Sequence, residues 1–247
     1  MGILDHLQEL RLALIWSMVS IAVATCVTIY FSRDIFSVLV LPIMEVYQRL
    51  GLEQKLIFTS PPEGFLTLLK VGLFSGFMAS TPFWMFFLGR FVWLGLRDVE
   101  KRFLMIYVGG GSLLFVIGGA FGYFKMFPIG LTYLIQTYNT ESLKALISVR
   151  EYFSFAVMLI IAFGAAFQLP LIMFLLGRLG LVTARQLLRV FRWAVIGIFL
   201  VAAALTPPDV VSQFGMAIPL CLLYFFGVAL VALFGKRKSK PPEPGAE

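Results

Sequence analysis

The chain has 247 residues, of which 60% are hydrophobic and 13% are charged, with a formal net charge of +7. A soluble domain of this size cannot hide so much apolar surface in its core, so the composition excludes a soluble protein and predicts an all-α, polytopic membrane protein. The single histidine, His6, and the two cysteines, Cys26 and Cys221 in apolar runs, do not favour a catalytic triad, a metal site or a disulfide framework.

Six apolar runs predict six transmembrane helices, because roughly 20 apolar residues cross the hydrocarbon core of a bilayer. These spans cover residues 12–31, 70–89, 103–124, 152–177, 193–206 and 210–235. We expect residues 1–235 to form a single membrane domain. Residues 236–247 are basic and then proline-rich, which is typical of a disordered tail beside anionic lipid.

The last two predicted spans form a short hairpin. The apolar run between Arg192 and Thr206 reaches only about 20 Å as a helix. We therefore expect local thinning of the membrane or a helix that lengthens through its flanks. Pro207 and Pro208 cannot continue a helix and mark the turn, and Asp209 can cap the helix that follows.

The distribution of basic residues predicts the orientation. The N-terminus, the 90–102 and 178–192 segments and the tail hold 13 Lys and Arg residues, against 6 on the other side. Both termini are therefore expected in the cytoplasm. The first span has no cleavage site after it and is expected to stay in the protein. The two long loops on the other side, one of which contains Pro42, are expected to pack together as a cap.

Two carboxylates on the expected cytoplasmic side are candidate binding groups. Each has an ordinary interpretation: Glu9 compensates a helix dipole, and Glu100 forms an internal salt bridge. The alternative is that both lie on one partly desolvated surface and each accepts a guanidinium in a bidentate fork.

Polar side chains within the spans also allow two interpretations. Gln168 lies in the middle of the fourth span, near Pro170, which leaves a backbone carbonyl without its helical donor. Its amide can form a structural hydrogen bond between helices, or it can receive the transmembrane helix of another protein. Thr206 and Gln213, which flank the hairpin, have the same two interpretations.

Glu63 and Lys70 are seven residues apart and share one helical face. We expect a structural ion pair in which Lys70 extends toward the membrane surface.

Three ordered sequence blocks resemble the TatC family of twin-arginine, or Sec-independent, protein translocases. The first is His6-Leu7-Gln8-Glu9-Leu10-Arg11, and the others contain Ser60, Pro61, Glu63, Phe65 and Lys70, and then Thr206-Pro207-Pro208-Asp209, Ser212, Gln213 and Pro219. The chain departs from the family pattern at Leu94, where proline is usual, at Phe86, Phe87 and Gly89, and at Gln168 and Phe225, where glutamate is frequent. The change at Gln168 removes a titratable group but keeps a hydrogen-bonding one.

The resemblance implies a receptor for twin-arginine signal peptides, which is the core component of a translocase that moves folded proteins across the bacterial inner membrane with the proton-motive force. It assigns peptide binding to Glu9, Glu100, Phe91, Lys101 and Arg102. It assigns contact with single-span partner subunits of the TatA and TatB type to Gln168, Thr206 and Gln213. Structural roles remain for Pro42, Glu63, Lys70, Pro170, Pro207, Pro208 and Asp209.

The resemblance also implies an oligomer with other copies of the chain, in membrane lipid. We expect no catalytic activity, metal, cofactor or nucleic acid, because the chain has no nucleotide-binding glycine loop and its spans hold no pair of nucleophile and base. The alternative function is a small-solute or ion transporter with a path lined by Gln168, Lys70 and Glu63.

Overall fold

The computed structural model describes residues 3–52, 56–93, 102–138, 147–206 and 210–235, with the side chains of these ranges except residues 3–6, 92–93, 102–107 and 138. Eleven α-helices account for nearly all of the described chain. They are α1 Ile3–Tyr30, α2 Ser32–Leu39, α3 Leu41–Leu50, α4 Glu63–Ala79, α5 Thr81–Trp93, α6 Arg102–Phe121, α7 Phe127–Tyr138, α8 Val149–Ala166, α9 Gln168–Arg178, α10 Ala184–Leu205 and α11 Val210–Phe234. A π-helical turn, Gly122–Met126, joins α6 to α7.

Five segments of the described chain are long and apolar enough to cross a membrane, and there are six if the bent pair α4 and α5 counts as one span. The predicted all-α fold with six spans is therefore confirmed. α4 and α5 meet at an angle of 53°. The bend lies at Ser80, because Pro82 in the first turn of α5 has no N–H to continue the hydrogen bonds of α4.

The first helix of the hairpin is longer than its apolar run. α10 begins at Ala184 rather than near residue 193. Thr183 and Gln186 form a capping box, in which each side chain accepts a hydrogen bond from the backbone N–H of the other residue. Of the two expected alternatives, local membrane thinning and a lengthened helix, the structure thus has the lengthened helix. Its added N-terminal part includes Arg185, Arg189 and Arg192.

The helices pack so that successive spans alternate in direction. α1 packs against α4 and α5, α6 against α5 and α8, and α11 against α9 and α10. We call the end where α1 begins and α11 ends the terminal end, and the opposite end the loop end. At the terminal end, the Arg178 guanidinium donates to the carbonyl of Phe234 at 3.2 Å and ties α9 to α11.

α1 and α4 approach each other closely at two glycines. A Cβ atom on Gly76 would lie 2.6 Å from the Cα of Thr25, and one on Gly72 would lie 2.9 Å from the Cα of Ile29. The hydroxyl of Thr28 donates to the carbonyl of Gly72 at 2.6 Å. The Gly-x-x-x-Gly spacing therefore brings two backbones together, as in other membrane helix pairs.

The predicted packing of the two long loops is confirmed. The backbone N–H of Ile57 donates to Ile147, and the N–H of Val149 donates back to Ile57, at 3.2 and 3.1 Å. The hydroxyls of Tyr123 and Tyr152 both donate to the carbonyl of Leu39, at the end of α2. Pro42 is buried in the first turn of α3. Helix α3 also packs against α7, so the described parts of the two loops form a cap at the loop end.

Candidate functional site

A shallow groove at the terminal end contains two of the residues to which the family resemblance assigns peptide binding. It runs between α1 and α5 and is lined by Glu9, Leu12, Ala13, Trp16, Phe87, Arg90 and Phe91. Trp16 stacks on Phe87, with ring centroids 6.2 Å apart. The structure thus brings Glu9 and Phe91 together from helices that are distant in sequence.

The chemistry of this groove changes along its length. Glu9 is half-buried at the outermost turn, and Leu12, Ala13 and Trp16 follow on α1 toward the interior of the span. Within the described part of the chain, Glu9 makes no ion pair. Arg90 lines the same groove and is exposed. The groove presents a carboxylate at its rim and apolar side chains below it, although Arg90 offsets part of the negative charge.

The other three residues of the expected peptide site lie wholly or partly outside the described part of the chain. Glu100 and Lys101 lie outside the described residues. Arg102 begins α6, but its side chain is also outside the described part.

Gln168 makes the hydrogen bond between helices that its ordinary interpretation requires. Its side chain is 8% exposed, and its Nε2 donates to the carbonyl of Gly111 in α6 at 3.0 Å. The Oε1 atom is buried and has no hydrogen-bond partner among the described residues. Pro170 is buried two residues later, just after the break at Phe167 that separates α8 from α9.

Thr206 and Gln213 donate hydrogen bonds within the hairpin. The hydroxyl of Thr206 donates to the carbonyl of Ala202 at 2.9 Å, in the last turn of α10. The Nε2 of Gln213 donates across the hairpin to the carbonyl of Phe199 at 3.1 Å. Pro207, Pro208 and Asp209 lie outside the described residues.

The expected ion pair between Glu63 and Lys70 is wrong, and the structure describes both side chains. Lys70 is exposed, whereas the Glu63 carboxylate is buried at the N-terminus of α4. Glu63 accepts hydrogen bonds from the N–H groups of Thr59 (2.5 Å), Ser60 (3.2 Å) and Arg150 (3.0 Å), and from the Thr59 hydroxyl (2.7 Å). Lys70 lies two helical turns further along α4, about 10 Å along the axis, which is too far for an ion pair. The carboxylate instead turns back toward the loop.

Glu63 therefore joins the two long loops, a role that the sequence pattern did not indicate. Thr59 and Ser60 belong to the first loop, and Arg150 lies in the first turn of α8, the helix after the second. The 87-residue separation between Glu63 and Arg150 leaves no local pattern that would reveal this contact.

Comparison with known proteins agrees with the motifs. The family model described as Sec-independent protein translocase protein (TatC) matches residues 5–219. A Sec-independent protein translocase protein TatC of Desulforapulum autotrophicum is 37% identical, over 98% of this chain and 88% of its own length. The Aquifex aeolicus protein of the same name is 35% identical, over 97% of this chain and 98% of its length.

The fold has a solved counterpart. A crystal structure described as twin arginine translocase receptor TatC superposes with a TM-score of 0.81 at 34% identity, and the match covers 93% of this chain and 99% of that one. Family model, relatives and fold agree over nearly the whole chain, and the chain therefore belongs to the TatC family of Sec-independent protein translocase proteins.

Proposed function

We propose that this chain binds twin-arginine signal peptides in the groove between α1 and α5, with Glu9 as an acceptor for guanidinium. As a TatC family member, the chain is a multi-pass component of a Sec-independent protein translocase. The observation that supports the proposed site is the half-buried carboxylate of Glu9 beside Phe91 and above an apolar groove.

The order of charged and apolar residues along the groove matches the order of basic and apolar residues along a signal peptide. Signal peptides carry basic residues first and a run of 7–15 apolar residues after them. A peptide with its arginines at Glu9 would continue past Leu12 and Trp16 toward the interior of the membrane. Because Arg90 contributes a positive charge, a second carboxylate strengthens binding, and we propose Glu100 for that role. Lys101 and Arg102 complete the proposed site.

We expect Glu9→Gln to weaken binding of a twin-arginine peptide roughly tenfold or more, because a charge-assisted hydrogen bond contributes about 1.5–3 kcal/mol. A dilysine peptide should bind wild type more weakly, since an ammonium cannot form the bidentate fork. Titration of a fluorescent peptide against detergent-solubilised protein measures both.

Glu45→Gln is the matched control for this titration, because Glu45 is an exposed glutamate in α3 at the loop end. It should leave the affinity unchanged. Equal affinities for the wild type, Glu9→Gln and Glu45→Gln would contradict the proposed site.

The partner-binding role of Gln168 is a second part of the proposal. A polar residue on the transmembrane helix of a single-span partner would donate to Oε1, which has no partner among the described residues, once α6 and α9 separate enough to expose this buried atom. Thr206 and Gln213 would contribute from the hairpin.

We expect Gln168→Leu to reduce copurification of partner subunits severalfold, because the hydrogen bond to the partner is lost, while peptide affinity is unchanged. Quantitative pull-down from membranes measures the copurification. If the pull-down is unchanged, Gln168 has only its structural bond to Gly111.

The proposal places both termini in the cytoplasm, the chain in a bacterial inner membrane, and several copies in one translocase driven by the proton-motive force. The excess of basic residues at the terminal end supports this orientation. Membership of a protein translocase family does not favour the alternative of a small-solute or ion transporter.

A further inference from the structure

One face of α10 carries a basic stripe followed by an apolar one. Arg185, Arg189 and Arg192 are spaced so that they share one helical face, and Ile196 and Leu200 continue that face. All three arginines are exposed, and Ile196 and Leu200 are 51% and 67% exposed. We call these five residues the α10 stripe.

The stripe faces away from the helix bundle. The opposite face of α10 holds the buried residues Ile198 and Ala202. Phe191 on that side packs against Tyr224 of α11, with ring centroids 5.7 Å apart. The Tyr224 hydroxyl also donates to the carbonyl of Leu187 at 2.8 Å. The packing of α10 thus leaves the stripe open to the surrounding lipid.

Among the described residues, no carboxylate forms an ion pair with the arginines of the stripe. The sequence has no Asp or Glu between Glu151 and Asp209. Across the described ranges, the ion pair within 4.0 Å joins Arg49 to Glu45, which belong to α3 at the loop end. Arg192 does contact the ring of Trp193, at 5.6 Å from its centroid, but this contact brings no negative charge. The described part of the chain thus leaves the charge of the stripe available to an anionic group of another molecule.

The depth of the stripe identifies that molecule. Arg192 lies eight residues into α10, about 12 Å from its start, and the apolar run beyond it reaches only about 20 Å. The hydrocarbon core is about 30 Å thick, so Arg185 lies at the boundary between headgroups and acyl chains and Arg192 about 10 Å inside it. Long arginine side chains extend from this depth to the headgroups, and local thinning of the bilayer shortens the distance. Lipid phosphates occupy this boundary.

We propose that the α10 stripe binds an anionic phospholipid of the leaflet at the terminal end. The planar guanidinium groups of Arg185, Arg189 and Arg192 hold the phosphate through paired N–H groups. The acyl chains lie along Ile196 and Leu200. Twin-arginine peptides are cationic and would be repelled by the three arginines of the stripe. The lipid site is therefore separate from the groove at Glu9 and does not depend on the proposed peptide binding.

Native mass spectrometry of the full chain, with phosphatidylglycerol or phosphatidylethanolamine added to the detergent, tests the proposal. Wild type should retain phosphatidylglycerol in preference to phosphatidylethanolamine. Each Arg→Gln change in the stripe should weaken phosphatidylglycerol binding roughly fivefold, and the triple change roughly a hundredfold. Triple Arg→Lys substitution should restore part of the affinity, because charge remains without the fork.

The matched control replaces Arg33, Arg49 and Arg150 with glutamine, since these exposed arginines lie at the loop end. It removes the same charge and should leave phosphatidylglycerol retention unchanged. Equal losses in both triple variants, or equal retention of both lipids by wild type, would overturn the proposal. Displacement of the lipid by glycerol phosphate at equal concentration would also overturn it, because the acyl chains would then contribute nothing.

Discussion

Replacing Glu63 with alanine is expected to lower the unfolding temperature of the detergent-solubilised chain by on the order of 10 °C. The change removes the carboxylate that accepts four hydrogen bonds, so the N–H groups of Thr59, Ser60 and Arg150 lose their acceptor. These bonds are partly buried, so a donor left there without a partner destabilises the chain more than the loss of a bond in water does. The two loops should separate, because this carboxylate is one of the groups that joins them. Thermal unfolding monitored by circular dichroism measures the effect.

Two further variants separate the role of the buried carboxylate from that of charge in general. Glu63→Gln should be intermediate, because an amide keeps one acceptor oxygen but presents N–H groups to other donors. Lys70→Met removes an exposed charge from the same helix and should change the unfolding temperature little. Similar losses in Glu63→Ala and Lys70→Met would show that the ion pair matters after all.

Replacing Gly76 with valine is expected to destabilise the chain by about 3 kcal/mol, because the new side chain forces α1 and α4 apart. The first added carbon alone would lie 2.6 Å from the Cα of Thr25 and 2.7 Å from its backbone nitrogen, and a backbone cannot rotate away as a side chain can. The separation should also break the bond from Thr28 to the carbonyl of Gly72. Chemical unfolding in mixed micelles, followed by tryptophan fluorescence, measures the change in free energy.

Gly197→Val is the matched control, because no atom lies within 4 Å of a Cβ built at Gly197 in α10. It places the same side chain on a lipid-facing helix and should change the free energy of unfolding by less than about 1 kcal/mol. If Gly76→Val and Gly197→Val are equally stable, the close contact between α1 and α4 does not contribute to the fold.

Long apolar runs made the six spans predictable, but not where the helices begin and bend. The apolar run alone predicts a start of α10 that is too late, because three arginines precede that run within the helix. Thr183-x-x-Gln186 is a capping-box sequence that marks the true start. Pro82 similarly marks the bend between α4 and α5.

The contacts of single side chains were less predictable than the spans. A bond between helices was one of the two interpretations of Gln168, but Gly111 as the acceptor follows only from the packing of α6 on α9. Helical spacing alone pairs Glu63 with Lys70. A distant backbone N–H, that of Arg150, is a partner instead, and helical periodicity carries no information about such a contact.

For the candidate site, the pattern of charged residues indicated Glu9 and the family resemblance added Phe91, and the groove between α1 and α5 brings them together. Sequence reasoning did not indicate Trp16, Phe87 or Arg90 as neighbours of Glu9. These follow from the antiparallel packing of two helices whose crossing is set by tertiary contacts rather than by local sequence.

The most direct test of peptide binding at Glu9 is site-specific photocrosslinking of a twin-arginine signal peptide to the full chain in membranes. A photoreactive residue in place of Leu12, which lines the groove below Glu9, should crosslink to the peptide. The same residue in place of Phe65, exposed near the start of α4 at the loop end, should not. We predict that Glu9→Gln removes most of the crosslink at position 12, whereas an equal crosslink at both positions, unaffected by Glu9→Gln, would contradict binding in this groove.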